Sequence, residues 1–262
     1  MRIITLTSDL GHQDPYLPMV KGKLLGLYSD IQIHDISHEI PPYDRIRCAY
    51  MLRWTYTSFP DGTIHIYSVD AGSTQNGKGI IAKCNNHFFI GPDNGIISLI
   101  ALENALECHA IESPIIVPDF YHPSLLIRDV FTNVAAFIAS GGPIEEVGEP
   151  ITPFTIGNRE PLVRDDVMRG EIIHIDRFGN CITNITRSLF QEFKNNRPFK
   201  ISFRNQELSK IYLEYDRSIE MGDPIALFGA TGHLEIASIY GNAHTLFGLN
   251  IGHGITLEFI NK

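Results

Sequence analysis

No apolar run in this 262-residue chain reaches the roughly 20 residues that a membrane-spanning helix needs. Cysteine is scarce: Cys48, Cys84, Cys108 and Cys181 lie far apart, and no CxxC pair occurs. That spacing argues against a disulfide scaffold and against a short-spaced zinc site. Buried free thiols in a reducing compartment are expected instead. Basic residues are few, 21 Lys and Arg against 30 Asp and Glu, a net charge of -9. Arg204, Lys210 and Arg217 are scattered rather than clustered, so no nucleic-acid footprint is expected. His12, His65, His122 and His174 form no HExxH or other metal-ligand spacing. Met1 to Leu6 lacks the basic-then-apolar pattern of a secretory leader. A cytoplasmic protein without metal or redox cofactor is the expectation.

With 44% hydrophobic and 19% charged residues, the chain has ample material for a folded core. Strands are expected over 3–7, 31–36 and 63–69, with helices over 18–28 and 45–56 between them. Met19, Leu24, Leu25 and Leu27 should form the apolar stripe of the first helix. A hairpin over 80–90 and helices over 95–104 and 128–140 follow. Beyond a polar stretch over 152–166, the segments become short and turn-separated. The pattern predicts an α/β fold in two parts. Residues 1–162 form an N-terminal α/β domain with a mainly parallel sheet, and 163–262 a smaller all-β C-terminal domain.

The densest chemistry lies in Ile173 to Ile185, where an apolar alternation meets Asp176, Phe178, Gly179 and Asn180. Gly179-Asn180 is a strong turn signal. A charge, a ring and an amide beside it suit a zwitterionic ligand, although an Asp and Asn that satisfy their own turn would read the same way. Asp9 and Asp14 follow the first strand, at the edge where open α/β sheets bind ligands. Asp9 suits a ribose diol, or equally the cap of a following helix. Asp70 ends the third strand and opens the polar loop Ala71-Gly72-Ser73-Thr74-Gln75-Asn76-Gly77-Lys78-Gly79, which lacks P-loop spacing. Tyr43 is held stiffly by Pro41-Pro42, as a base-stacking ring would be.

In order along the chain, several segments resemble the SAM hydroxide adenosyltransferases, relatives of the enzymes that halogenate S-adenosylmethionine (SAM). They are Thr7-Ser8-Asp9-Leu10-Gly11 with Asp14-Pro15-Tyr16, Asp35 to Asp44, Phe59 to His65, and Gly91-Pro92-Asp93-Asn94-Gly95. Arg128-Asp129-Val130-Phe131, Asp176 to Ile185, and Leu234-Glu235-Ile236-Ala237 complete the set. The resemblance implies a homotrimer that binds a small adenosyl ligand at subunit interfaces, with neither nucleic acid nor membrane as partner. It implies that water attacks the ribose 5′ carbon of SAM, releasing methionine and leaving adenosine. By position, Asp9 takes the ribose hydroxyls, with Asp14 nearby and Ser73 in the adjoining loop. Tyr43 and Tyr215 sandwich adenine, while Asp176, Phe178 and Asn180 receive the methionine end. Asp70 matches the family's water-handling Asp. The companion Arg position falls on Gly77, beside Lys78, and the His position on Leu126, a turn after His122. Ala230-Thr231 stands where an Asn-Ser pair is usual. A SAM hydrolase with weakened turnover is expected, the alternatives being a silent SAM or adenosine sensor and an enzyme for another adenosyl or nucleoside substrate.

Overall fold

The structure, a computed structural model, describes residues 2–75, 77–102, 104–216 and 218–260. Met1, Asn76 and Arg217, named above, lie outside the described residues. The chain divides into two compact units, residues 1–158 and 159–262.

The first unit runs β1 (Arg2–Ser8), α1 (Tyr16–Leu27), β2 (Ile31–Ser37), α2 (Arg45–Thr55), β3 (Ile64–Ser68), β4 (Ile80–Cys84), β5 (His87–Gly91), α3 (Ile96–Ala101) and β6 (Leu106–Ala110). A π-helical turn, Ile127–Phe131, then leads into α4 (Thr132–Ala139). Its six-stranded sheet has the order β2-β1-β3-β5-β4-β6. β1, β2, β3 and β5 are parallel, but β4 pairs antiparallel with both β5 and β6. The sheet is therefore mixed: the mainly parallel expectation describes β2, β1, β3 and β5, and β4 and β6 add an antiparallel edge. The tight Asn85-Asn86 turn reverses the chain, because both residues accept positive φ.

Alternation along β3 and β5 divides the core between the two faces of the sheet. Ile64, Ile66 and Ile90 pack with Leu17, Val20 and Leu24 of α1 and Val134 of α4. Tyr67 and Phe89 pack on the opposite side with Leu52 of α2 and Ile97 of α3. The stripe expected for α1 is only partly the buried one. Leu24 is buried, whereas Met19, Leu25 and Leu27 are exposed. A 3.6-residue period puts Leu17, Val20 and Leu24 on one face and turns those three away.

Within this sheet Thr5 Oγ1 lies 2.7 Å from His65 Nδ1, and His65 Nε2 lies 3.2 Å from His87 Nδ1. Burial, and then the neighbouring His87, push the His65 pKa down from 6.5 to about 3. The unfolded chain therefore binds a proton that the native chain refuses. The His65 contribution is complete above pH 6.5 and declines as pH falls toward 3, by about 1.4 kcal/mol per pH unit. Thermal melts from neutral pH downward should show this loss, and replacing His65 with Gln should flatten it. A wild-type melting temperature unchanged down to about pH 4 would contradict the assignment.

The second unit contains β7 (Leu162–Arg164), β8 (Val167–Ile175), β9 (Cys181–Thr186), α5 (Arg187–Lys194), β10 (Phe199–Phe203), β11 (Gln206–Leu208), β12 (Pro224–Phe228), β13 (His233–Ser238), α6 (Ala243–Leu246) and β14 (Gly254–Phe259). An eight-stranded antiparallel sheet has the order β11-β10-β14-β8-β9-β13-β12, with β7 paired to β8. The all-β expectation is corrected by α5 and α6. Thr186 caps α5 by accepting from Leu189 N–H. Its apolar face carries Phe190 into the core, against the rings of Phe199, Phe228 and Phe259.

Candidate functional site

In the first unit, Ser8 and Ser68 are register partners on parallel β1 and β3. Asp9 and Asp70 therefore leave the sheet at the same carboxyl edge, where such sheets bind ligands. Asp9 Oδ2 accepts the backbone N–H of Tyr43 and that of Asp70, each at 3.2 Å. Both donors sit at left-handed φ, 69° and 51°, a region costly for residues other than glycine. One carboxylate oxygen thus anchors two strained turns. Oδ1 has no partner among the described residues. Asp9 does not cap α1, whose cap position is Pro15 without a side-chain bond. The Tyr43 ring is 75% exposed, and its backbone is held on the other side by Asp44, which caps α2 through Arg47 N–H.

Behind Asp9, Ser8 Oγ lies 2.7 Å from His38 Nδ1, and His38 Nε2 lies 3.2 Å from Asp35 Oδ1. Lys21 donates to Asp35 Oδ2 at 2.6 Å. Despite its Ser-His-Asp composition, this group is no nucleophilic triad. Ser8 is fully buried, and burial lowers the His38 pKa although Asp35 opposes the shift. Its role is to fix the strand end from which Asp9 projects.

Asp70 accepts from Ser73 Oγ at 2.8 Å through Oδ1. Its Oδ2 faces Arg45 Nε at 3.5 Å. Arg45 Nη1 in turn donates to Asn94 O at 2.9 Å, and fully buried Asn94 donates Nδ2 to Val69 O and Asp70 O. Asp9, Tyr43, Asp70 and Ser73 are thereby brought together by direct bonds. Asp14 is exposed, and among the described residues no hydrogen bond ties it to them.

In the second unit, the turn between β8 and β9 is closed by the Asp176 side chain. Oδ1 accepts the N–H of Phe178 and Asn180, each at 2.9 Å, and Oδ2 accepts Asn180 Nδ2 at 2.9 Å. Gly179 holds φ 85°, and a Cβ there would fall 2.2 Å from Asn242, so this position requires glycine. Asn180 Nδ2 also donates to Tyr215 OH at 3.1 Å. Asp176, Phe178, Asn180 and Tyr215 line one cleft of about 830 Å³ with Glu235 and Tyr240. The Phe178 ring is 75% exposed and Tyr215 46%, which leaves flat apolar surface beside carboxylates.

Glu235 belongs to a segment that carries the resemblance, but the sequence alone assigns it no place in the site. Burial first, then the Asp176 charge, raises its pKa, while its hydrogen bond with Tyr215 works the other way. Burial, Glu235 and Asp176 together push Tyr215 up to about 12. Two carboxylates around a cleft give it a cation-seeking character. Ser238 Oγ, buried on the same wall, has no hydrogen-bond partner among the described residues. A signal for Glu235 was present, since a charged residue in the apolar run Leu234 to Ala237 is rarely buried without a reason.

Residues 4–148 match the SAM hydroxide adenosyltransferase N-terminal domain, and residues 170–256 match the C-terminal domain of that family. The chain belongs to the SAM hydroxide adenosyltransferase family. It is 30% identical to an (R)-S-adenosyl-L-methionine hydrolase of Thermus thermophilus, covering 98% of this chain and all of that one. A hydrolase of the same name from Methanocaldococcus jannaschii is 31% identical over 98% of this chain and 95% of its own. A fluorinase from Nocardia brasiliensis is 26% identical, covering 98% and 96%. Among solved structures, an uncharacterised conserved protein from Thermotoga maritima superposes with a TM-score of 0.88. It is 26% identical, covering 97% of this chain and 99% of that one.

At the family's expected Arg position, Gly77 lies in the exposed loop with φ 60°. At the expected His position, Leu126 is buried in the core with Val130 and Phe131 rather than facing the site. Lys78 has no ion-pair partner among the described residues. The turn preceding Leu126, Pro123–Leu125, packs against Ala71–Ser73, the turn that follows Asp70. His122 begins that turn, exposed, with its Nδ1 2.8 Å from Ser124 Oγ. Among the described residues, no cluster of His, Cys, Asp and Glu is arranged to hold a metal, and no helix is long and apolar enough to cross a membrane.

Proposed function

We propose that the protein is a SAM hydrolase, producing adenosine and methionine from SAM and water. The observation that carries this reading is the Asp9 carboxylate, which fixes the Tyr43 and Asp70 turns around one point at the sheet edge. Asp9 holds the ribose diol, with Asp14 beside it and Ser73 steadying Asp70. Tyr43 and Tyr215 stack on adenine. Asp176 faces the methionine ammonium, with Phe178 and Asn180 shaping its seat. Relatives named as SAM hydrolases and full-length similarity support the hydrolase reading, while the residue roles follow the family resemblance.

The chemistry asks little beyond orientation. The water oxygen bonds to the ribose 5′ carbon as the bond from that carbon to sulfur breaks. The electron pair goes to sulfur, turning a cationic sulfonium into a neutral thioether, so the leaving group needs no acid. The attacking water must lose one proton, and Asp70 is the base in position to take it. Alignment alone can supply on the order of 7–11 kcal/mol.

We read residues 1–162 and 163–262 as N-terminal α/β and C-terminal β-rich domains. The assembly we propose is a homotrimer with ligand sites at subunit interfaces, on the strength of the family resemblance. A cytoplasmic location fits four buried, unpaired cysteines. Incubating the purified protein with SAM and separating the products by chromatography tests the activity. Adenosine and methionine in equal amounts are expected. Bound SAM with no adenosine would replace this reading by a silent binding protein.

A further inference from the structure

We infer that Arg45 is the positioning residue of the water site, supplying from the start of α2 the guanidinium that the loop after β3 lacks at Gly77. This rests on the hydrolase reading above.

Three independent observations converge on Arg45. Its Nε faces Asp70 Oδ2 at 3.5 Å, opposite the oxygen that Ser73 occupies. Both oxygens of the carboxylate are thus held, one by a hydroxyl and one by a cation. Next, Nη1 donates to Asn94 O, while Asn94 Nδ2 grips the carbonyls of Val69 and Asp70. Arg45 therefore braces the Asp70 backbone as well as its carboxylate, and does so at a residue held in a left-handed turn. Finally, Arg45 stands where helix physics disfavours it. It is the first residue of α2, directly after the Asp44 cap, and the first turn contains no acid. A cation there opposes the helix dipole at a cost of about 0.3–1 kcal/mol. A local conflict of this kind marks a tertiary demand, and the Asp70 carboxylate is the partner that meets it. The planar fork spans Asp70 and Asn94 with donors in fixed positions, a geometry that a lysine ammonium reproduces only in part.

Positioning Asp70 is distinct from holding the Tyr43 loop. If Arg45 merely steadied its own segment, its loss would loosen SAM binding through Tyr43 and raise KM. As a positioning residue for Asp70 it acts on the water, so its loss lowers kcat and leaves KM nearly unchanged.

The test measures adenosine release from SAM by the wild type, Arg45→Ala, Arg45→Gln and Arg45→Lys, with SAM affinity read by calorimetry. Arg45→Ala and Arg45→Gln should lower kcat by about 10–100-fold, with Kd changed by less than about threefold. Arg45→Lys should recover part of the rate. Arg45→Gln, close in length, serves if the alanine variant fails to fold. Unchanged kcat in either neutral variant, or a loss expressed wholly in KM and Kd, would overturn the role of Arg45 while leaving the hydrolase reading intact. A wild type that binds SAM but releases no adenosine would overturn both.

Discussion

Asp70→Ala is expected to reduce the turnover of SAM to adenosine by roughly 10²–10⁴-fold, the usual worth of a positioned general base. The substitution removes the acceptor of the Ser73 hydroxyl and the partner of Arg45. It leaves in place the Asp70 N–H that Asp9 holds. The turn should therefore keep its shape, and SAM affinity should stay within about threefold of wild type. Single-turnover kinetics under saturating SAM separate the chemical step from product release. Undiminished adenosine formation in this variant would place the base elsewhere, with His122 beside the same turn the next residue to replace.

Substitutions at Asp9 and Asp176 should divide the ligand between them. Asp9→Ala is expected to weaken SAM and adenosine alike by about 10–100-fold, the range for losing a charged hydrogen-bond partner. It should also lower kcat, because Asp9 Oδ2 anchors the Asp70 turn as well as the Tyr43 turn. Asp176→Asn is the cleaner change in the second unit. An amide oxygen can still accept from Phe178 and Asn180 N–H, and a flip of the Asn180 amide turns its oxygen toward the new NH2, so the hairpin survives while the charge is lost. SAM, which carries the methionine ammonium, should bind about 10–100-fold more weakly, while adenosine should bind as before. Calorimetry that finds equal losses for adenosine in both variants would refute this division.

Much of this was legible in the sequence because strand physics writes it there. The apolar runs of β1, β3 and β5 and the carboxylates just past two of them announce a sheet edge, and Gly179-Asn180 announces a hairpin. Less legible was whatever depends on tertiary neighbours. The β4–β5 hairpin is legible, but nothing local says that β6 also pairs antiparallel with β4. The short helix α5 was hidden among strands, although Thr186 with Leu189, Phe190 and Phe193 carries both a cap and a face. Leu126 looked like a place where an imidazole had merely been exchanged, but its side chain belongs to the core. An imidazole there would be a buried polar group, so Leu126→His does not restore a water site. Arg45 escaped notice because its partner lies at the end of another strand. Its one local trace is a cation at the wrong end of a helix.

Hydrolysis requires that the 5′ oxygen of adenosine come from water. Turnover of SAM by the wild-type protein in ¹⁸O-labelled water, read by mass spectrometry, tests this most directly. One heavy oxygen is expected on the 5′ carbon of adenosine and none in the methionine released with it. Adenosine without label, label in methionine, or a bound SAM that stays intact would contradict it.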